Sequence, residues 1–565
     1  MSIDIPVGPA ATHLDDTVFD LHRIPFTCFG SWNSISIPKE QEEVWFRHHH
    51  CGGGDLFPIR LLKDGECVAP QITATPARLT LSHGDGVVEI CFENTQTVRF
   101  RGRNVGIQFG QRELAYYCGE NLFAINKPFE RRYQVEVLKG SGTLHQLVPT
   151  QPVFPNILEI IPADDGEWEL AVDKFASTWV RPERPGFDDC LAATTKAFDD
   201  FVAAMPAVRE QDRKTHLLAS YVNWGATVEA CGLVKRPTLL MSKFTMCSVW
   251  SWDHAFNALA LAAGHPQLAL DQMLTMVDQQ DEFGCYPDSI NDQSITYSFS
   301  KPPVHGWIFG EMLKRMPERP SHAMMETMYA SLSGQANWWM THRVLAGEEL
   351  PYYLHGNDSG WDNSTMFRVG VPLEAPDLSA LLVLQMECLA ELAKELSRDD
   401  EAKDWQSRAD TLFDAMHKTL WQDDQFVPRN GISGKTIKPM SLVPWLAIIL
   451  GARLSAEERE SLKAGIEPHL TEWGLATERV DSPLYRENGY WQGPIWAPAT
   501  YIAVTGLDRA GFGELADDVA QRFCKMADKS MFPENYNALT GDPLCCPAYT
   551  WTSSVYILLA ERLNR

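Results

Sequence analysis

The chain has 565 residues, 45% of them hydrophobic, and a formal net charge of −25 at pH 7. This length is more than one ordinary core needs, so we expect two domains or one large barrel with an extension. The net negative charge argues against nucleic acid and anionic membranes as partners, because binding to either is favoured by Lys and Arg on the protein.

The cysteines and the N-terminal stretch indicate a reducing compartment. The 13 cysteines are scattered without a CxxC pair, which is typical of reduced thiols. The stretch MSIDIPVGPAATHLDDTVFD has neither a basic start nor an apolar segment of signal-peptide length. Because the sequence also lacks a run of about 18 uninterrupted apolar residues, we expect a cytoplasmic protein without a membrane span. The sequence leaves the oligomeric state open.

Strand-like segments separated by turns fill the region from about residue 55 to residue 180. Four of them alternate or run apolar between turn residues: VVEICFEN, TVRFRG, YQVEVLKG and WELAVDKF. The sequences HGDG and GSG between them are good turns. This pattern predicts an antiparallel β-sandwich over residues 1–185. The Pro-rich stretch RPERPG, residues 181–186, marks the expected boundary.

From about residue 188 the pattern becomes helical, so the fold class is mainly α. DLSALLVLQMECLAELAKEL has apolar residues at three- and four-residue spacing, and Ser455 with Glu458 forms a capping box before another helix. Paired helices with longer polar loops between alternate helices predict an α/α toroid over residues 186–565. An irregular helical bundle is the alternative, and periodicity does not decide between the two.

Five loops between the helical segments share one composition, in which an aromatic residue stands next to a carboxylate or an amide. They are SVWSWDHAF (248–256), EFGCYPDSI (282–290) with SKPPVHGW (300–307), HGNDSGWDNST (355–365), ENGYWQGPIWAPATY (487–501) and FPENYNALTGDP (532–543). One such loop would mean little. Five of them predict the lining of one polar pocket with aromatic walls.

Two acidic residues in these loops are candidates for the hydrolysis of a glycosidic bond. That reaction needs an acid to protonate the departing oxygen and a second carboxylate to activate water or attack directly. Asp362 lies between Trp361 and Asn363, and a neighbouring indole raises the pKa of an acid by desolvation if the fold places them together. Glu534 is the second candidate. For either residue alone, a turn-forming or helix-capping role is the alternative.

Four motifs resemble, as a set, those of a clan of inverting α-glycosidases. In chain order they are WSWDHAF, GWDNS, YWQGPIWAP and PENY. The clan contains glycoside hydrolase family 63 and the trehalases, and SKPPVHGW resembles the QPPxxxW segment of the mannosylglycerate-hydrolase-like branch of that family. The resemblance covers about residues 190 to 565. It implies an (α/α)6 barrel with inverting chemistry, and the N-terminal part fits the β-sandwich that some members carry.

The resemblance also implies roles for individual residues. Asp362 would be the general acid and Glu534 the general base that activates water. Tyr536 would hydrogen-bond near the base. The other expected substrate-binding residues are Trp252, Asp253, His305, Trp361, Asn363, Trp491, Gln492 and Trp496.

Two positions depart from the pattern of the family. Gln492 stands where the family commonly has arginine, and Lys301 stands where the QPP segment has glutamine. These changes affect the expected substrate rather than the reaction class. Lys301 would either meet an anionic leaving group such as a glycerate or be a surface lysine.

We expect neither a metal nor another cofactor. RHHHCGGG, residues 47–54, contains three histidines and a cysteine, but the sequence has no second cluster with ligand spacing, and DDGEWE lacks the spacing of a calcium loop. The expected function is an inverting exo-acting α-glycosidase with small α-glucosides as substrates. The alternatives are a mannosylglycerate or glucosylglycerate hydrolase, a sugar isomerase or epimerase on the same toroid, and a sugar-binding protein with an inactive site.

Overall fold

The structure is a computed structural model that describes residues 17–111, 114–127, 131–146 and 156–565. These residues form two compact units. The first unit reaches to Ala203 and also contains Ser220–Glu229 and Lys243–Cys247, and the second contains the remaining segments from Ala204 to Arg565. The domain bounds predicted from the sequence, residues 1–185 and 186–565, stay a prediction.

The first unit is built from two antiparallel sheets. Its strands are β1 (Asn33–Ser36), β2 (Val44–His48), β3 (Gly54–Lys63), β4 (Glu66–Val68), β5 (Gln71–Ala74), β6 (Leu79–His83), β7 (Gly86–Phe92), β8 (Thr97–Arg103), β9 (Gly106–Gln111), β10 (Leu114–Gly119), β11 (Leu122–Lys127), β12 (Arg131–Lys139), β13 (Ser141–Gln146), β14 (Asn156–Ile161) and β15 (Glu167–Phe175). One sheet has the order β1-β2-β3-β9-β14-β13, with β4 paired to β3, and the other has the order β10-β11-β12-β15-β8-β7-β6-β5.

Aromatic side chains from the two sheets meet in the core between them. Phe100 of β8 makes an edge contact with Phe109 of β9, with ring centroids 5.6 Å apart. Tyr133 of β12 contacts Phe46 of β2 in the same way at 5.8 Å. Because each pair joins residues of opposite sheets, the sheets pack face to face as a β-sandwich. The prediction of this architecture is confirmed.

The helices are α1 (Phe187–Ala204), α2 (Arg213–Ala226), α3 (Asp253–Leu261), α4 (Pro266–Val277), α5 (His305–Arg315), α6 (His322–His342), α7 (Pro376–Glu395), α8 (Asp399–Leu420), α9 (Ala456–Ile466), α10 (Ala497–Arg509), α11 (Gly513–Ser530) and α12 (Thr550–Arg562). A longer 3₁₀ segment spans Val443–Arg453. Two-residue strands in the connecting segments are Thr227–Val228, Thr238–Leu239, Val249–Trp250, Ser289–Ile290, Ile295–Thr296, Tyr352–Tyr353, Leu373–Glu374, Trp421–Gln422, Gln425–Phe426, Arg429–Asn430, Asn535–Tyr536 and Pro543–Leu544. None of the helices in the described ranges is both long and apolar enough to cross a membrane.

Helices of the second unit close into a ring. α3 packs on α5, α5 on α7, α7 on Val443–Arg453, that segment on α10, α10 on α12, and α12 back on α3. Among the inner elements, α3 is enclosed on all sides, since every one of its residues is buried. Outer helices such as α8 bury only one face, with an apolar stripe of the period expected for a surface helix. The second unit is therefore an (α/α)6 barrel, which confirms the predicted toroid over the irregular bundle.

Candidate active site

The five aromatic loops converge because they precede inner helices of the barrel. Short connections join α3 to α4, α7 to α8 and α10 to α11, so each outer helix returns antiparallel to its inner partner. The inner helices then run in one direction, and their N-termini share one end of the barrel. Trp252, Trp496 and Tyr549 are the N-terminal capping positions of α3, α10 and α12. The loops therefore form one end wall, as the sequence predicts.

The loop at residues 355–365 is held by a buried aspartate. The Asp358 side chain is 2% exposed. Its Oδ1 accepts the Ser300 N–H at 2.9 Å, and its Oδ2 accepts from the Leu354 N–H at 2.9 Å and the Arg343 guanidinium at 3.0 Å. Because a buried carboxylate must be paired, this aspartate has a structural role. The second aspartate of the loop, Asp362, is the one left for chemistry.

Two glycines set the close packing around Asp362. A Cβ on Gly356 would lie 1.7 Å from the backbone oxygen of Asp362. Gly360 has a φ of +71°, and a Cβ there would lie 2.6 Å from the Trp252 indole. The loop therefore folds back on itself and on the capping residue of α3, which fixes the backbone that carries Asp362.

The Asp362 carboxyl is half-buried, and its pKa is raised. Burial is the largest cause, and the neighbouring Asp288 charge adds to it, while Lys301 and His355 act in the opposite direction. The Trp361 ring packs against Trp491, with centroids 4.6 Å apart. A raised pKa keeps the proton on the carboxyl at higher pH, which suits a general acid.

The Glu534 carboxylate is 6% exposed and is fixed at both oxygens. Its Oε1 accepts the Tyr490 hydroxyl at 2.9 Å, and its Oε2 accepts the Cys546 N–H at 3.3 Å. Burial raises the pKa of Glu534, both hydrogen bonds lower it, and the charge of Asp362 raises it again. Asp362 is therefore close enough for its charge to act on Glu534.

Tyr490 is a site residue that we did not predict from the sequence. It lies in the YWQGPIWAP motif, but we gave roles only to the two tryptophans and the glutamine of that motif. Tyr490 has a φ of +60°, which is unusual for an aromatic residue and costs roughly 1–3 kcal/mol. The structure brings this strained residue to Glu534, 44 positions further along the chain. No pattern in the sequence signals a positive φ at a tyrosine.

Asp253 and Lys301 complete the ionisable set. Asp253 begins α3, and its Oδ1 accepts the Tyr549 hydroxyl at 3.1 Å. Burial raises the pKa of Asp253 to about 8, against the opposing charge of Lys301. Lys301 is 8% exposed, so the alternative that it is a surface lysine is wrong. Its Nζ donates to the Asn357 carbonyl at 2.8 Å and lies 3.2 Å from Asp288 Oδ1.

Asn363 and Gln492 join two loops of the site to each other. The Asn363 side chain donates to the Gly489 carbonyl at 3.0 Å and accepts the Trp491 N–H at 2.9 Å. The Gln492 amide donates to the Asn363 carbonyl at 2.8 Å. The glutamine that replaces the arginine of the family thus binds the protein backbone, and its Nε2 is engaged there rather than turned to a ligand.

A family model described as the mannosylglycerate hydrolase MGH1-like glycoside hydrolase domain matches residues 247–552. The chain belongs to this family. The match spans every loop of the site and the inner elements from α3 to α10, and it confirms the recognition made from the motifs. The protein is a glycoside hydrolase, and its substrate is a carbohydrate.

Relatives and solved structures agree with this membership. The mannosylglycerate hydrolase of Rubrobacter radiotolerans is 21% identical over 54% of this chain and 89% of its own length. The glucosylglycerate hydrolase of Mycolicibacterium hassiacum is 21% identical over 55% and 91%. The GH63 mannosylglycerate hydrolase from Thermus thermophilus in complex with glucose has a TM-score of 0.53 at 17% identity, covering 61% of this chain and 99% of its own. A bacterial glucoamylase complexed with acarbose covers 100% and 96% with a TM-score of 0.62 at 10% identity. At these identities the two structures show the fold.

The tryptophans of this glycoside hydrolase form a packed aromatic floor beneath the site. Trp491 and Trp496 stack with centroids 3.9 Å apart and planes 9° apart. Trp252 lies 6.0 Å from Trp491. Trp252, Trp361 and Trp491 keep 3%, 2% and 1% of their surface exposed, so these rings present little surface to the pocket.

Three of the expected substrate-binding residues lie behind the site. Trp496 has no exposed surface, and its Nε1 donates to the Tyr490 carbonyl at 2.8 Å. Tyr536 also has none, and its hydroxyl donates to the Met531 carbonyl, so Tyr490 takes the position beside the base that we expected for Tyr536. The His305 ring is 1% exposed, and its Nδ1 accepts from the Gln335 amide nitrogen at 3.1 Å. As placed, these three side chains present no face to a sugar, and we assign them a supporting role.

The histidines of the RHHHCGGG stretch belong to the first unit and are buried there. His49 Nε2 lies 2.8 Å from the Ser34 hydroxyl, and His50 Nε2 lies 2.9 Å from the Lys174 ammonium. His50 also stacks on Trp32, with centroids 4.5 Å apart. These contacts give both rings structural roles in the unit. The absence of a metal and of other cofactors stays a prediction.

Proposed function

We propose that the protein is an inverting, exo-acting α-glycosidase of small α-glucosides, with Asp362 as general acid and Glu534 as general base. The observation that supports this most directly is the difference between the two carboxyl environments. Glu534 is buried and accepts two hydrogen bonds that favour its ionised form. Asp362 is half-buried, and desolvation favours its protonated form, with the charge of Asp288 adding to this against the opposing charge of Lys301. Such a division of environments is the usual way to assign an acid and a base.

The chemistry follows from these protonation states. Asp362 gives its proton to the glycosidic oxygen as the bond to the leaving group breaks. Glu534 takes a proton from a water molecule that attacks the anomeric carbon from the opposite face of the sugar. The glycone sugar of an α-glycoside is therefore released as the β-anomer. Tyr490 and the Cys546 N–H hold the Glu534 carboxylate in one orientation throughout, and each oxygen keeps a lone pair for the water.

The sugar itself is expected to meet the aromatic floor and one further acid. Trp252, Trp361 and Trp491 would form the wall, and Asp253 would hydrogen-bond sugar hydroxyls. With a pKa near 8, Asp253 carries a proton at neutral pH and both donates and accepts. Asn363 and Gln492 would act through the loops that they join. A cytoplasmic location is part of the proposal, and the scattered cysteines support it.

A glycerate glycoside is the second candidate substrate, because two relatives bear the names mannosylglycerate hydrolase and glucosylglycerate hydrolase. The environment of Lys301 weighs against Lys301 as the partner of a glycerate carboxylate. Its ammonium already contacts Asn357 and Asp288, and its side chain is 6% exposed. The isomerase alternative finds less support, since His254 and His305 are buried and burial lowers the pKa of both.

A proton NMR time course tests the proposal. The protein is mixed with trehalose, kojibiose, nigerose, isomaltose, glucosylglycerate and mannosylglycerate, and the first anomer released is recorded. We expect the β-anomer of glucose from at least one α-glucoside. Early α-anomer from the glycone would overturn the roles of Asp362 and Glu534. Trehalose is judged by its β-anomer alone, because inversion at one ring releases the other glucose as the α-anomer. Conversion of a free monosaccharide would favour the isomerase, and binding without turnover would favour an inactive sugar-binding protein.

A further inference from the structure

Beside Asp362 the pocket has an aromatic stack that no part of the mechanism above uses. The His355 imidazole and the Phe299 ring lie parallel, with centroids 4.8 Å apart and planes 24° apart. His355 is exposed, and Phe299 is half-buried behind it. We refer to these two rings as the His355–Phe299 plate. A flat, exposed aromatic face in a carbohydrate pocket is suited to stack against the apolar face of a sugar ring.

The plate lies next to the general acid. The backbone of Gly356 is packed against the backbone of Asp362, so close that a Cβ at 356 would lie 3.1 Å from the Asp362 Cα. His355 immediately precedes Gly356 and is exposed to the solvent. In acid-catalysed glycoside hydrolysis the leaving group departs on the side of the general acid.

The plate is a built feature rather than a loose contact. The buried Asp358 carboxylate accepts the His355 N–H at 3.2 Å and the Ser300 N–H, next to Phe299, at 2.9 Å. Lys301 joins the same two segments through its bond to the Asn357 carbonyl. One buried carboxylate and one buried ammonium thus fix the backbone on both sides of the stack.

The tautomer of His355 gives the plate a polar edge. His355 Nδ1 accepts the Asn357 N–H at 3.1 Å, as the cap of the short helix Gly356–Ser359. The proton of the neutral ring is therefore on Nε2, which is free to donate at the exposed edge. An apolar face with one hydrogen-bond donor at its rim matches a pyranose, whose C–H face is apolar and whose edge carries hydroxyls.

We propose that the His355–Phe299 plate binds the leaving group and selects a second sugar ring over a small acyclic one. The inference rests on the proposed function, because it assigns Asp362 as the acid. The substrate class would then be α-linked disaccharides of glucose, with the reducing-side pyranose lying on the imidazole and one of its hydroxyls accepting from Nε2. This would make His355 a specificity-determining residue that is not needed for the chemistry at the anomeric carbon.

The test compares two substrates with the same glycone. One is the α-linked glucose disaccharide that the wild type hydrolyses fastest, and the other is α-glucosyl fluoride, whose leaving group is a single atom. The variant is His355→Asn, because asparagine is a good N-cap residue and keeps an acceptor for the Asn357 N–H while it removes the ring. Phe299→Leu removes the backing ring with little loss of apolar volume. The control is His322→Asn, an exposed histidine at the start of α6, whose 21 residues extend about 30 Å.

We expect His355→Asn to lower kcat/KM for the disaccharide about tenfold and to change it less than about twofold for the fluoride, since only the disaccharide loses the contact of an apolar ring face. Phe299→Leu should also lower kcat/KM for the disaccharide, and His322→Asn should leave kcat/KM for both substrates unchanged. Equal loss on both substrates, or loss on neither, would overturn the inference while the proposed function stands. A wild type that acts on glucosylglycerate and the fluoride but on no disaccharide would do the same. If the wild type hydrolyses none of them, the proposed function fails as well.

Discussion

Removal of the Tyr490 hydroxyl is the sharpest test of the base assignment. Tyr490→Phe keeps the ring, which packs edge-on against Trp496 with centroids 4.8 Å apart, and deletes only the bond to Glu534 Oε1. A hydrogen bond to a charged group contributes about 1.5–3 kcal/mol. Glu534 is 6% exposed, so solvent screens this interaction little. If the bond orients the base in the transition state, kcat/KM should fall about 10- to 150-fold.

The pH dependence gives a second readout that simple loss of packing would not produce. The Tyr490 hydroxyl acts to lower the pKa of Glu534, so its removal raises that pKa further above the ordinary value. A general base must be ionised, and its activity is lost as the pH falls through its pKa. The acidic limb of the kcat/KM profile should therefore move to higher pH in Tyr490→Phe.

Tyr329→Phe is the matched control for this variant. Tyr329 also donates its hydroxyl to a glutamate, Glu401 Oε2, at 2.6 Å, but this pair joins α6 to α8 on the outside of the barrel. We expect Tyr329→Phe to keep both the rate and the pH profile of the wild type. A Tyr490→Phe enzyme with an unshifted acidic limb and a rate within about twofold of the wild type would refute the assignment of Tyr490 as the residue that positions the base.

Three further predictions concern the acids and the cation of the site. Asp362→Asn and Glu534→Gln should each lower kcat on a disaccharide by about 10²–10⁴-fold. Because α-glucosyl fluoride needs no acid, it should restore turnover in the first variant but not in the second. Near wild-type rates on the disaccharide in either variant would contradict the mechanism. Lys301→Gln removes a charge that lowers the pKa of Asp362, so the basic limb of the kcat/KM profile, where the acid loses its proton, should move to higher pH, and a limb that stays in place would be evidence against this coupling. Asp358→Asn leaves the Arg343 charge without its partner and should lower the free energy of unfolding by about 3–5 kcal/mol, seen as a lower Tm in calorimetry; an unchanged Tm would show that the loop is held by other bonds.

The sequence predicted the converging loops because their composition and their position before helices are both local features. Trp252 and Asp253 stand where α3 begins, and Trp496 stands where α10 begins, so a periodic pattern and a polar interruption are enough to locate them. The order of the motifs was enough to name the family. The β-sandwich followed from alternation along strands such as β8 and β15. These features survive without knowledge of any long-range contact.

The roles inside the site depend on contacts that the sequence does not express. The loop HGNDSGWDNST offers two aspartates, and nothing in its letters separates Asp358 from Asp362. The difference comes from Arg343, 15 residues upstream, which pairs with Asp358 at 3.0 Å. Similarly, Tyr490 reaches Glu534 only because its backbone takes a left-handed conformation, and Tyr536, which stands two residues from Glu534, turns its hydroxyl away to Met531.

The ionisable groups of the site influence one another. The Lys301 ammonium lowers the pKa of Asp253, Asp288 and Asp362, and the charge of Asp362 in turn raises the pKa of Glu534. A glutamine in place of Lys301 would leave three carboxyls without this charge. We therefore expect Lys301 to set the pH range of the enzyme. The choice of leaving group is instead expected to depend on the His355–Phe299 plate.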